Sequence, residues 1–555
     1  EVRKIVLFTV LAPLVSTTTG NVNGKLNQAD CLSYYSYQRI PYAEKPVGKL
    51  RFMPPVPIRP WTDVLDATAE GAVCPQPEGD YSRNQMNCLF LNIYVPANRT
   101  TPLPVLVFVH GGEFSKLSGN SDVIYGPQLL LARDVIVVTV NYRLGALGSL
   151  SLGIKEASGN AGIKDVLLAL KWIKANIQNF GGDTHNITLA GNSAGASLVH
   201  FVTLTPKSDG LFHRVIMISG SALNYRFLAL HPVANALALC NELGVHGTTT
   251  NDMLEKLRGL DPFDIVQAQD AMGQNNSRNG IRPFAPFVPC IEIEYEDALI
   301  DKHPKIIIQS GLPQNVPILT GFNAQEGIKM IPVIKKNPNL IDRINENFEL
   351  VIPSNIEYPL GSCESRNLAK SIRDFYFGSL NITNQTMNGY VDMLRDSQFA
   401  HGADSWIKLH KSRKYSNKIY YYVFTFDGSL NFFKLKTDVD FPGAAHADEL
   451  GYLFVTKITE ALLQNLDSIN QDRLNIMLTL ITNFVKYEKP LTDAVDNDFN
   501  WPESGPERNH YVISDAPHAE IGPPLSQQQR FWYDIYDQYN RYVDNGGEIE
   551  AKIVP

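Results

Sequence analysis

Residues 186–196, NITLAGNSAGA, constrain this chain more tightly than any other stretch. Ile187, Thr188, Leu189 and Ala190 read as a short apolar strand, the turn Gly191-Asn192-Ser193-Ala194-Gly195 follows at once, and a small-residue helical run begins after it. Strand, tight turn and helix are the setting in which G-x-S-x-G has a mechanism. The turn is so sharp that the serine sits at a strained backbone position, and the glycines leave room for neighbouring backbone. Strain holds the hydroxyl above a sheet, and the helix N-terminus favours developing negative charge. The pentapeptide alone also describes a glycine-rich turn carrying a solvated serine, so its meaning depends on partners.

A serine hydroxyl is a weak nucleophile at neutral pH; it needs a base, and the base needs an orienting acid. For a serine on such a turn the chain order is serine, then carboxylate, then histidine. Twelve histidines are present, so composition does not choose among them. His446 lies between FPGAA and DELGYLF, a loop leading into a helix-like run. Glu326 stands in GFNAQEG, just past the apolar run 316–320, where the catalytic edge of a parallel sheet would lie. Either residue taken alone reads equally well as a surface charge.

The runs 89–95, 105–109 and 135–140 are rich in β-branched residues, and the last two are continuous, as in strands buried on both faces. Residues 165–180 show helical spacing, 215–218 and 420–424 are further buried strands, and 520–543 reads as a closing amphipathic helix with core aromatics. Alternating strands and helices predict an α/β chain with a large, mostly parallel central sheet flanked by helices on both faces. No repeat or linker divides it, so residues 13–555 are expected to form a single domain. A net charge of −8 offers no basic face for nucleic acid.

Residues 1–12 place Arg3 and Lys4 before an apolar run too short to span a bilayer. They read as the remnant of a secretory signal, with a first β-strand as the alternative, and no later stretch reads as a membrane span. The expected address is therefore secreted and extracellular. Six cysteines, without a C-x-x-C pair, argue against a zinc or redox motif; Cys74 and Cys88 flank a polar loop of the kind a disulfide closes outside the cell. Of five glycosylation sequons, Asn98, Asn275, Asn381 and Asn384 are expected in loops, and Asn186, beside the serine strand, is expected to be too enclosed for a glycan.

IPYAEKPVGKLRF, NCLFLNIYVP, VFVHGGEF, NYRLGALG, GNAGIKDVLLALKWIKANIQNFGGD, GNSAG and GAAHADELGYLF occur in this order. Together they resemble the type-B carboxylesterases of the carboxylesterase/cholinesterase family, the HADELGYLF spelling resembling insect esterases. The resemblance implies an α/β-hydrolase fold and a serine esterase with Ser193 as nucleophile, His446 as base and Glu326 as its orienting acid. It also implies a Cys74–Cys88 disulfide, an Arg143–Asp165 ion pair, no metal or organic cofactor, and an oxyanion hole built from the N–H groups of Gly112, Glu113 and Ala194. The expected substrate is a small, lipophilic, uncharged ester.

Glu113 departs from the family pattern, which has glycine there. A carboxylate turned inward would oppose the oxyanion or act as a base towards water; one turned outward or protonated would do little. This position gives footing to an alternative reading, a catalytically weakened esterase-like binding protein. Asn192 stands where cholinesterases carry Glu and juvenile-hormone esterases carry Gln, and with Val166 it counts against both specialised activities.

Overall fold

The continuous β-branched runs lie where apolar cover exists on both sides. The computed structural model describes residues 13–29, 31–77, 85–279, 285–311, 314–412, 417–491 and 501–539; the expected signal remnant at 1–12 falls outside them. Eleven strands form the main sheet: β1 (Lys25–Ala29), β2 (Leu32–Pro41), β3 (Phe90–Pro96), β4 (Leu103–Val109), β5 (Ile136–Val140), β6 (Gly182–Asn192), β7 (Arg214–Ile218), β8 (Ile318–Asn323), β9 (Ile419–Phe424), β10 (His510–Ile513) and β11 (His518–Glu520). Their spatial order is β1-β2-β3-β5-β4-β6-β7-β8-β9-β10-β11. Every pair from β5 to β10 is parallel. The edges are antiparallel, with β1–β2, β2–β3 and β3–β5 at one side and β10–β11 at the other.

Alternate residues of one strand enter opposite cores, because successive side chains point to opposite faces. Val105, Val107 and Val109 of β4 join one apolar cluster with helices α1 (Ala161–Asn176) and α2 (Ala194–Thr203) and with Trp406 of α3 (His401–Ser412). Leu106 and Phe108 join the other, with Leu474, Met477, Ile481 and Phe484 of α4 (Ser468–Tyr487). Helices thus cover both faces of an α/β-hydrolase sheet. The closing helix α5 (Ser526–Tyr539) begins later than the sequence pattern suggests, because 518–520 pair with β10, and it buries Trp532, Ile535 and Tyr539 against residues 341–394. α1 begins at Ala161, and its expected continuation to 180 is a 3-10 turn, Ile177–Phe180, stopped by Gly181 at φ +83°.

Strand β4 is where the order reverses: β5 lies on one side and β6 on the other. In open parallel sheets, ligands bind in the crevice beyond the strand ends at such a switch point. The loops after β4, β6, β8 and β9 all leave the same carboxyl edge of the sheet.

Candidate active site

Strand β6 ends at Asn192 and α2 starts at Ala194, so the whole turn falls on Ser193, at φ +58° and ψ −122°. A side chain in that region is strained, by about 1–3 kcal/mol. The glycines follow from close approach. A Cβ at Gly195 would lie 2.2 Å from the Val109 carbonyl oxygen, and one at Gly191 would lie 2.5 Å from the Gly195 carbonyl carbon. The Ser193 N–H donates to the Ile218 carbonyl of β7 at 2.8 Å, pinning the turn to its neighbour.

His446 Nε2 lies 2.8 Å from Ser193 Oγ, and its Nδ1 lies 2.5 Å from Glu326 Oε2. With the proton on Nδ1 donated to Glu326, Nε2 accepts from the serine hydroxyl. Glu326 is fully buried, and its other oxygen accepts the Asn323 N–H at 2.8 Å. The structure therefore brings His446 together with Glu326, 120 positions away in the chain, and with Ser193, 253 positions away.

The loops carrying acid and base are tied to each other. The Gln325 N–H donates to the Ala444 carbonyl at 2.9 Å, and Asn323 Nδ2 donates to the Ala445 carbonyl at 2.6 Å. Asp448 closes the histidine loop by accepting from the Ala445 N–H at 2.6 Å; burial pushes its carboxyl up to about 7. Glu449, also buried, accepts from Asn323 Nδ2 and from Ser219 Oγ. Burial, then the nearby Glu326 charge, pushes Glu449 up to about 8, so it carries a proton at neutral pH. Asp448 and Glu449 stand inside HADELG, but the sequence pattern marked them only as the start of a helical run. That run is a 3-10 turn, Asp448–Tyr452.

The loop after β4 curls around the Gly112 carbonyl, which accepts from the N–H groups of Ser115 and Lys116 at 2.9 and 3.0 Å. Gly112 has φ +98°, and a Cβ there would meet the Lys116 carbonyl oxygen at 2.1 Å. Among the described residues, no acceptor takes the N–H of Gly112, Glu113 or Ala194. Behind the loop, His110 stacks on Tyr142 at 4.4 Å, and burial pushes it down to about 4, so it stays neutral. Gln76 clamps the far end through the Leu117 N–H at 2.8 Å and the Leu117 carbonyl at 3.1 Å. Gln76 belongs to the loop closed by the Cys74–Cys88 disulfide, which is present. Cys31, Cys240, Cys290 and Cys363 are free thiols.

Glu113 itself has φ +56°, a conformation that suits glycine. Its Oε1 accepts from Arg226 at 3.1 Å and from Lys329 at 3.3 Å. Lys329, ahead of Arg226, holds the carboxyl well below the usual range, so Glu113 is ionised rather than protonated. A carboxylate so stabilised is a poor base, which removes most of the ground for a water-activating role. On its outer side the same loop lines a cavity of about 340 Å³ through Glu113, Ser115 and Lys116, opposite Gln269, Gln274 and Phe287. Ser193 and His446 are not among its walls.

Arg143 and Asp165 form a buried two-pronged ion pair, at 2.6 and 2.8 Å, that fixes the loop after β5 to α1. Of the sequons, Asn98, Asn381 and Asn384 are exposed outside regular structure. Asn275 does not lie in a loop: it is within the helix Pro262–Asn279, whose polar end (QNNSRN) hides its periodicity. Asn186 is half-buried in β6, its side-chain oxygen taken by Arg214.

A family model described as "Carboxylesterase family" matches residues 11–532. The chain belongs to the carboxylesterase family. It is 32% identical to a juvenile hormone esterase of Heliothis virescens over 538 residues, covering 94% of this chain and 93% of that protein. It is also 32% identical to venom carboxylesterase-6 of Apis mellifera, covering 89% and 88%. A crystal structure of juvenile hormone esterase from Manduca sexta, with OTFP covalently attached, superposes with a TM-score of 0.83 at 31% identity, over 94% of this chain and 99% of that one. This carboxylesterase is accordingly a carboxylic ester hydrolase. No helix among the described residues is long and apolar enough to cross a membrane.

Proposed function

We propose that Ser193, His446 and Glu326 hydrolyse carboxylic esters through an acyl-enzyme. Ser193 Oγ attacks the ester carbonyl while His446 Nε2 takes its proton; the tetrahedral intermediate then expels the alcohol, which leaves with that proton. Water repeats the sequence on the acyl-serine and releases the acid. Glu326 orients the imidazole and stabilises its charged form. The N–H groups of Gly112, Glu113 and Ala194 meet the oxyanion in both intermediates, each worth about 2.7–4 kcal/mol of barrier in comparable sites. The observation that carries this reading is the unbroken hydrogen-bonded line from Ser193 Oγ through His446 to Glu326.

The aromatic rings of Phe114, Phe227 and Phe399 stand around the site and suit a lipophilic body next to the ester. Hydrolysis of juvenile hormone, the activity named for two relatives, is not carried over, since Asn192 departs from the Gln of the juvenile-hormone esterase pattern. The Cys74–Cys88 disulfide and the exposed sequons support export and glycosylation. A panel of 4-nitrophenyl esters graded by acyl length tests the reading. Turnover that disappears in Ser193→Ala supports it, and turnover that persists in that variant refutes it. The alternative, a binding protein without turnover, predicts no hydrolysis across the panel.

A further inference from the structure

Two cations share a single carboxylate oxygen at the rim of the site. Arg226 and Lys329 both bond Glu113 Oε1, and Lys116 adds a third positive charge to the same surroundings. The Arg226 and Lys329 side chains are only 19% and 10% exposed, so water compensates them poorly. Arg226 has a second partner in Gln398 Oε1 at 2.6 Å, which is neutral. Lys329 has three N–H groups, and among the described residues Glu113 is the one acceptor within hydrogen-bond distance of its Nζ. The neighbouring Glu326 carboxylate is already engaged by His446 and the Asn323 N–H.

The position of the cluster ties it to the reacting atoms. Lys329 Nζ lies 5.0 Å from the centre of the Phe399 ring, and that ring lies 4.7 Å from the imidazole of His446. The ammonium and the base therefore contact the same aromatic ring. Arg226 sits on the turn Tyr225–Phe227, whose Phe227 packs edge-on against Phe114, the residue after Glu113. Phe399 and Gln398 are presented by a π-helical turn, Asp396–Ala400, whose carbonyls at 398 and 399 are held by Asn224 Nδ2 at 2.7 and 3.0 Å. Four separate segments thus bring two cations, Arg226 and Lys329, beside an otherwise aromatic site.

A purely structural ion pair would match one cation to one anion. Burial, and then the neighbouring Arg226 charge, outweigh Glu113 and Glu326 and push Lys329 down to about 8, so its ammonium is incompletely compensated where it stands. We propose that Arg226 and Lys329 bind a small anionic group, such as a carboxylate, on the ester substrate, so that the enzyme prefers lipophilic esters carrying one negative charge over their neutral counterparts. This rests on the ester-hydrolase reading of Ser193 and replaces the expectation of an uncharged substrate. Glu113 holds the two cations in place and leaves the remaining N–H groups of Lys329 for the substrate anion.

The test compares matched ester pairs on one enzyme sample, so that the ratio of kcat/KM values is independent of the active fraction. One pair carries the charge on the acyl side: mono-4-nitrophenyl adipate against 4-nitrophenyl hexanoate. The other carries it on the alcohol side: 4-carboxyphenyl butyrate against the butyrate of methyl 4-hydroxybenzoate. In at least one pair the anionic-to-neutral ratio is expected to fall about tenfold in Lys329→Met, to recover in Lys329→Arg, and to fall with added salt in the wild type. Ratios that stay within twofold in Lys329→Met for both pairs overturn the proposal while turnover of the neutral esters keeps the hydrolase reading intact. If the wild type turns over no member of either pair, the hydrolase reading itself fails and this inference goes with it.

Discussion

Replacing Glu326 with Gln changes one atom and, on this structure, reverses the proton arrangement of the site. Glu326 Oε1 accepts the Asn323 N–H at 2.8 Å, and both residues are fully buried. In Glu326→Gln only the amide oxygen can occupy that position, so the NH2 group must face His446 Nδ1. The imidazole then has to accept at Nδ1 and carry its proton on Nε2, 2.8 Å from Ser193 Oγ. In that tautomer Nε2 cannot take the serine proton. The same change in a serine protease triad lowers kcat by about 10⁴, which corresponds to roughly 5.5 kcal/mol of barrier. The fold should not suffer, because the amide has the size and shape of the carboxylate and the neighbouring Glu449 is already protonated at neutral pH. The assay is steady-state kcat on 4-nitrophenyl butyrate, normalised to folded protein by circular dichroism, with Glu326→Asp as the charge-retaining control. A fall of less than tenfold in Glu326→Gln, with an unchanged thermal transition, would refute the tautomer argument.

Three further outcomes follow from the same geometry. Glu449 and Asp448 keep their protons in the folded chain up to about 8 and about 7, against ordinary values near 4.5 and 3.8. Folding therefore binds extra protons between those limits, and stability should decline as pH rises through that window; Glu449→Gln should flatten the decline, measured as melting temperature against pH, and an unaltered slope would count against it. Gly195→Ala should abolish activity and lower soluble yield, since its methyl group would sit 2.2 Å from a backbone oxygen that cannot retreat. Replacing Cys74 and Cys88 together with Ser should cost about 3 kcal/mol in denaturant unfolding, the chain-entropy value for a loop of this size.

The elbow was legible because its requirement is local: a glycine on each side of Ser193 answers a contact made within a few residues or with the adjacent strand. The central strands were legible for a similar reason, as runs such as VLVFV have nowhere else to go than a two-sided core. The acid and base were singled out by motif and by chain order, while their meeting depends on strand order across the sheet, which no local pattern encodes. Asn323, Gln76 and Glu449 were missed because each acts on a partner that only the fold brings close. Strand β11 is exposed along its whole length and has no apolar alternation to betray it. Glu113 was marked as a departure, but its cations come from positions 113 and 216 residues away, so the ion cluster could not be read in advance.

The central claim is that Ser193 is made nucleophilic by His446. The most direct measurement is intact-protein mass spectrometry after exposure to a 4-nitrophenyl dialkyl phosphate, followed by peptide mapping. One dialkylphosphoryl group per chain, on the peptide containing Ser193, is expected, with no label in Ser193→Ala and slow labelling in His446→Gln. A wild-type chain that stays unlabelled, or that carries the label on another residue, would contradict the account.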